Sequence, residues 1–221
     1  LANIGGPQLV TKYGTKEAKK AVEMVKANAL AIHLNPLQEA VQPEGDTNYS
    51  NLLPKISKLA QELSVPVVVK ETGAGISAED ALMLSETGVA AIDVAGAGGT
   101  SWAAVEHYRA KARQDCFFER LGKTFWDWGI PTVVSLVETV NSVNLPVIAS
   151  GGIRTGIDVT KALVLGASLA SVTYPFLDPA TKSSEDVKKA LRYLVGEVRN
   201  AMFLIGANSI KIIQKLPVVM T

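Results

Sequence analysis

An α/β fold built on a parallel sheet is the class this sequence predicts, on three observations. Six short apolar runs recur along the chain, each closing in Gly, Pro or polar residues. None alternates strictly between apolar and polar positions, so the strands they form are buried on both faces, as parallel strands are. Amphipathic helical patterns separate the runs, and strand–helix alternation joins parallel neighbours.

The runs are "LANIGG" from Leu1, "ALAIHLN" from Ala29, "VPVVVKET" from Val65, "AAIDVAGAGG" from Ala90, "LPVIASGG" from Leu145 and "LASVTYPFL" from Leu169. Between them, "TKEAKKAVEMVKANA" spaces apolar residues three and four apart, with Thr15 as its cap. "NYSNLLPKISKLAQEL" is a second helix. "SAEDALMLSETG" has Ser77 as N-cap, Asp80 in the first turn and Gly88 as the stop. "TGIDVTKALVLGA" and "SSEDVKKALRYLVGEVRNAMFLIG" complete the helices. Residues 101–131 break the rhythm with a long, aromatic and charged insertion. It follows a strand, so it is expected on the functional face of the sheet.

Composition narrows the function classes. The 221 residues are 48% hydrophobic and 19% charged, enough for one full core in a single domain over 1–221 and too apolar for a disordered chain. A net charge of +1 gives no global attraction to nucleic acid. The basic residues of the insertion are diluted by Asp115, Glu119 and Asp127, which favours a solvated helix and lid over an RNA surface. No run approaches a membrane span. The single cysteine, Cys116, cannot pair internally and fits a reducing, cytoplasmic setting. The opening "LANIGGPQLV" lacks a methionine and is already strand-like, so it reads as the middle of a longer chain.

"ASGGIRTGIDVTKALVLGA" is the sharpest local motif. Gly151 and Gly152 follow a strand, and a helix opens near Gly156. Paired glycines bring backbone N–H groups close to an anion, and the helix N-terminus adds positive potential. A tight turn is the plainer reading, but the order strand, Gly-Gly, helix, with Arg154 inside it, favours phosphate. The spacing is not GxGxxG, so it does not support a dinucleotide fold. The next run ends in Thr173 and Tyr174. In barrels a phosphate commonly sits between the last two strands, although Tyr174 also suits a rim aromatic. "DVAGAGGTSW" sets Gly96, Gly98 and Gly99 before Thr100, either a hinge or a ligand contact. Lys70 closes a buried strand, where a lysine is costly unless it meets an anion such as Glu71 or a ligand.

"AIHLNPLQEA" sets four hydrogen-bonding side chains at a strand end. His33 and Asn35 share a face by alternation, and Gln38 and Glu39 are expected in the following loop. A satisfied core histidine and a helix entry with Glu39 serving the dipole are an equal reading of the stretch alone. Glu39 suits Mg²⁺ if a substrate phosphate supplies further oxygens. With two histidines, His33 and His107, a multi-histidine metal cage is not expected.

These strand ends resemble the type 2, FMN-dependent isopentenyl diphosphate isomerases. "ANIGGPQL", "IHLNPLQE", "VVVKETGAGIS", "DVAGAGGTSW" and "ASGGIRTGIDVTKALVLGA" match in order and spacing across essentially the whole chain. The glycine motif is shared by several FMN barrels; "HLNPLQE" with "GGTSW" is more specific. The resemblance implies a TIM (β/α)8 barrel with FMN at its C-terminal face. Asn3, Lys70 and Thr100 would contact the flavin, and Gly151, Gly152, Arg154, Thr173 and Tyr174 would surround its phosphate. His33 and Asn35 would hold the substrate diphosphate, Gln38 would lie near the reacting carbons, Glu39 would bind Mg²⁺, and Trp102 would wall the hydrocarbon pocket. Gln38, His33 and Trp102 are thus the implied catalytic set.

The implied reaction interconverts isopentenyl diphosphate and dimethylallyl diphosphate. It needs reduced FMN, maintained by NADPH or another reductant, and it suits a chain with no evident protein acid–base pair. A homo-oligomer, tetramer or octamer, would fit the aromatic insertion. The family's barrel begins before its "ANIGG" strand, with a glycine-rich FMN strand, a serine-bearing strand and a basic diphosphate-gripping segment. Six strands stand here where a closed barrel has eight, so the chain is expected to be the C-terminal portion of a longer one. The alternatives are an FMN-barrel oxidoreductase of 2-hydroxy acids, and a folded but inactive flavin- or phosphate-binding fragment. The first lacks its histidine–arginine cluster before "LPVIASGG". An IMP-dehydrogenase-like reading fails because Cys116 lies in "RQDCFFE" rather than a glycine-rich loop.

Overall fold

The computed structural model describes residues 1–218. In chain order the elements are β1 Ala2–Gly5, α1 Gly6–Thr11, α2 Thr15–Met24, β2 Leu30–His33, α3 Pro36–Val41, α4 Leu52–Glu62, β3 Val67–Lys70, α5 Ala78–Ser85 and β4 Ala91–Asp93. Then follow α6 Trp102–Ala112, α7 Cys116–Thr124, α8 Thr132–Ser142, β5 Val147–Ala149, α9 Gly156–Val164, β6 Leu169–Ala170, α10 Tyr174–Lys182, α11 Ser184–Leu204 and α12 Ile210–Ile213. The strands form one sheet in the order β1-β2-β3-β4-β5-β6, and every pair is parallel. Consecutive parallel strands, each followed by helix, are the wall of an α/β barrel.

Burial follows the apolar runs. β2 and β3 are buried along their first three residues and half-buried at His33 and Lys70. Leu30, Ile32, Val67, Val69 and Ile92 join Ile56, Leu59 and Leu84 from α4 and α5 in the main core. A second cluster gathers Val94, Leu136, Val147 and Ala149 with Ala162. β6 stands at one edge of the sheet, and its Leu169 is 56% exposed.

Several local expectations change. Thr15 is not the cap of α2: Gly14 is, and its N–H donates to the Glu17 carboxylate at 2.9 Å, while Thr15 donates its hydroxyl to Glu62. Ser77 caps α5 by accepting from Asp80 N at 3.1 Å, and Gly88 ends that region at φ +83°, as expected. Gln38 and Glu39 lie in the short helix α3 rather than in a loop. The last strand stops at Ala170, so Thr173 falls at the N-cap position of α10, without a side-chain cap, and Tyr174 is its first residue. The insertion becomes α6 and α7, packed on each other directly after β4. No helix among the described residues is long and apolar enough to cross a membrane.

Candidate functional site

The C-terminal ends of β2 to β5 bring ionisable groups into one mouth. In register, His33 stands beside Lys70 and Lys70 beside Asp93. Lys70 donates to the Glu71 carbonyl, and among the described residues no carboxylate lies within ion-pair distance of its ammonium. A half-buried cation so placed favours an incoming anion. Glu71, buried, folds back on its own loop: Oε2 accepts the N–H groups of Thr72 and Gly73 at 2.6 Å each, and that of Ala74. Burial still pushes its carboxyl up, because desolvation outweighs those amides and nearby Lys70. Asp93 accepts from Ser150 Oγ at 2.5 Å and from Ala95 N at 3.3 Å. Its carboxyl is also pushed up by burial, against the Ser150 bond and the Lys70 charge.

His33 Nδ1 lies 2.7 Å from Asn3 Oδ1. With that oxygen accepting, the neutral ring carries its proton on Nδ1 and offers Nε2 as an acceptor. Burial, then the Lys70 charge, hold its pKa below the ordinary histidine value, while Glu39 opposes them. The Gln8 amide lies over Gly5 toward the same ring: a Cβ on Gly5 would meet Gln8 Oε1 at 1.6 Å and His33 Nε2 at 3.1 Å.

Asn35 and Glu39, both buried, form a second knot. Asn35 Nδ2 donates to Glu39 Oε1 at 2.8 Å and to Gln38 Oε1 at 3.3 Å. Tyr49 OH donates to Asn35 Oδ1 at 3.1 Å, and burial pushes its phenol up. Glu39 Oε2 accepts from Gln42 Nε2 and from Asp46 N, each at 2.8 Å. No group of three or more His, Cys, Asp or Glu side chains among the described residues could hold a metal. A cation at Glu39 would therefore draw on water and ligand oxygens, as Mg²⁺ does. Oε1 receives a single protein hydrogen bond, which leaves a lone pair without a protein partner.

Two glycine loops interlock beyond β4 and β5. A Cβ on Gly151 (φ +103°) would sit 2.1 Å from Gly96 O, and one on Gly152 (φ +75°) 2.1 Å from Gly98 O. Thr132 Oγ1 donates to Gly151 O at 2.7 Å, and Gly96 N to Ser150 O at 3.0 Å. Among the described residues, the amides of Gly151, Gly152 and Ile153 donate to no protein acceptor. These free donors, with Arg154 over the Tyr174 ring at 5.8 Å, fit a phosphate such as that of FMN. The first turn of α9 is less free than the motif suggests. Asp158 Oδ2 accepts from Arg154 N and Thr155 N at 3.1 and 2.9 Å, and Glu197 Oε2 accepts from Gly156 N at 2.6 Å.

The structure thus gathers His33, Asn3 and Lys70 at one place, Asn35, Gln38 and Glu39 at a second, and Gly151, Gly152, Arg154 and Tyr174 at a third. Thr100 is exposed and makes none of the side-chain hydrogen bonds of these groups. Trp102 is half-buried, with Cδ1 3.8 Å from where a Cβ on Gly73 would lie. Thr173 is exposed, and its hydroxyl makes no cap to α10. Gln8, Asp93 and Ser150 lie inside the quoted motifs but are not among the residues the sequence singles out, nor is Tyr49, and Glu71 is expected there only as a partner for Lys70. An apolar cavity of about 1110 Å³ lies apart, between α3, α4, α5 and residues 125–130, and touches these groups only at Tyr49 and Glu71.

The FMN-dependent dehydrogenase family matches residues 9–219. An isopentenyl-diphosphate delta-isomerase of Methanosarcina mazei is 52% identical over 219 residues, covering 99% of this chain and 59% of the relative. One of Pyrococcus furiosus is 50% identical over 226 residues, covering 100% of this chain and 57% of the relative. The chain therefore spans less than two thirds of the curated relatives it matches. Among solved structures, a mandelate oxidase variant with a monooxide FMN adduct aligns at a TM-score of 0.64 and 23% identity over 94% of this chain and 59% of that one. A GMP reductase of Trypanosoma brucei aligns at 0.68 and 22%, over 99% of this chain and 46% of that one. Both share the barrel fold.

Proposed function

This chain belongs to the FMN-dependent dehydrogenase family, and on that premise we propose that it carries much of the site of an isopentenyl-diphosphate delta-isomerase. The reaction would interconvert isopentenyl and dimethylallyl diphosphate with reduced FMN and Mg²⁺, NADPH or another donor keeping the flavin reduced. Relatives of that name at about half identity support the reading. The geometric observation that carries it is the knot of Asn35, Gln38 and Glu39, standing at the strand mouth beside His33 and an ammonium, Lys70, without a carboxylate partner.

In this reading Gly151, Gly152 and Ile153 offer amides to the FMN phosphate, with Arg154, Thr173 and Tyr174 around it. Asn3, Lys70 and Thr100 face the ring. Glu39 Oε1 takes the cation, and Asn35 and His33 take the diphosphate. Reduced FMN, when bound, supplies the acid–base chemistry that moves the double bond, and Mg²⁺ neutralises the diphosphate. His33 enters as a neutral acceptor, and an arriving diphosphate reverses the local field. The ring then takes up a proton, and Nε2 turns from acceptor to donor. Gln38, on the same turn as Glu39, presents an uncharged amide to the allylic carbons, and Trp102 excludes water from that side.

The test is an absorbance spectrum of the complete natural protein and an isomerisation assay with flavin oxidised and reduced. Bound flavin and turnover only after reduction are expected. Equal rates with oxidised flavin, or a colourless protein that takes up no FMN, would overturn the reading. Oxidation of a 2-hydroxy acid is the second reading, favoured by the family's description; bleaching of the flavin by lactate or mandelate would select it.

A further inference from the structure

Helix α6 makes a contact that the site does not explain. Glu106 on this helix is buried, its side chain 1% exposed. Arg109 Nη1, one turn later, meets both of its oxygens at 2.8 and 2.7 Å. A buried carboxylate needs such a partner, and the pairing fixes the guanidinium plane. The second nitrogen, Nη2, then reaches Glu44 across 65 residues of sequence. Arg113 stands 3.6 Å from the other Glu44 oxygen.

Glu44 belongs to residues 42–51, between α3 and α4, which form no helix or strand. This segment wraps Glu39. Gln42 and Asp46 N both donate to Glu39 Oε2, and Gly45 packs so closely that a Cβ would lie 1.8 Å from Glu39 O. α6 starts against the turn after β3: a Cβ on Gly73 would lie 3.0 Å from Thr100 O and 3.8 Å from Trp102 Cδ1. Trp102 is its first residue, directly after Thr100 and the capping Ser101, whose hydroxyl accepts from Ala104 N and donates to Trp126 O. α3 also packs on α6.

We propose that Glu44 and Arg109 are positioning residues that strap the loop around Glu39 to helix α6, holding the cation side and the flavin side of the site in one relative placement. An exposed ion pair alone would hold little. Here the arginine is already immobilised by buried Glu106, so the bond to Glu44 orders one side chain instead of two. The strap rests on the reading of Glu39 as a cation ligand for its consequence, but not for its existence.

The experiment uses the complete natural protein with Glu44→Ala and Glu44→Lys, which leave the buried Glu106–Arg109 pair intact. It reads hydrogen exchange over residues 43–47, the half-saturating Mg²⁺ concentration with flavin reduced, and FMN affinity. The strap predicts exchange faster by about tenfold or more at the Asp46 amide. Half-saturating Mg²⁺ rises on the order of fivefold, with FMN affinity and the rate at saturating Mg²⁺ little changed. Raising ionic strength moves wild type toward Glu44→Ala in exchange, because the outer pair is screened. Unchanged exchange in both variants overturns the strap. Faster exchange with an unchanged Mg²⁺ requirement overturns its positioning of Glu39. A wild-type enzyme indifferent to Mg²⁺ removes the metal reading of Glu39, and exchange alone then decides whether the strap exists.

Discussion

Replacing Gly152 by Ala should both loosen the fold and spoil the proposed phosphate cradle. The residue stands at φ +75°, where an L side chain costs roughly 1–2 kcal/mol. The added Cβ would also lie 2.1 Å from Gly98 O and 2.3 Å from Gly98 C. Both are backbone atoms, so no flexible side chain can swing away. The loops must part instead, an overpacking cost of roughly 1–3 kcal/mol. Together these give about 2–5 kcal/mol, or a Tm lower by roughly 4–20 °C for a domain of this size. Gly196→Ala is the matched control: it lies inside α11 with nothing within 4 Å of its Cβ position. It should stabilise by about 0.5–1 kcal/mol, the ordinary helix preference for Ala over Gly. Thermal unfolding of both variants and flavin-fluorescence titration well below Tm form the assay. If Gly152→Ala melts with wild type and binds FMN within about twofold of it, the argument from interlocked loops and free amides is wrong.

Three other outcomes are expected. Glu39→Gln keeps FMN bound but should lower Mg²⁺-dependent turnover by about 100-fold or more; unchanged rates across a Mg²⁺ titration would remove the metal role. Binding of isopentenyl diphosphate near neutral pH should draw a proton onto His33, whose pKa starts below the ordinary histidine value. Calorimetry in two buffers of different ionisation enthalpy would detect it, and the same proton count in His33→Asn would refute it. Asp93 has a folded-state pKa above its ordinary 3.8, so the fold binds that proton more tightly than the unfolded chain and loses stability as pH rises through that window. Asp93→Asn should therefore melt above wild type in mildly alkaline buffer, with the gap closing on acidification; a gap independent of pH would contradict the burial argument.

The parallel sheet was legible because buried strands leave continuous apolar runs, and all six fall where those runs lie. Helix α8 is missing from the expected helices, since "TVVSLVETVNS" is rich in β-branched residues of low helix propensity, and its helical face shows only in Leu136 and Val140 packing on Val94 and Val147. The glycine motif and the polar end of β2 were visible because their chemistry is local. Asp93 was not, because it earns a meaning only through Ser150, 57 residues on. Tyr49, 14 residues from Asn35, and Glu44, 65 from Arg109, are likewise legible only once the chain has folded.

The first turn of α9 has a consequence for selectivity. Asp158 and Glu197 already occupy its leading amides, so two carboxylates stand behind the cradle. They answer the helix dipole from within and repel any anion that arrives with nothing else to offer. Inorganic phosphate should gain little there. On the proposed FMN reading, a mononucleotide anchored also by its ring and chain would set its phosphate on the amides of Gly151, Gly152 and Ile153 in spite of them, and the loop would select the whole molecule over its most highly charged part.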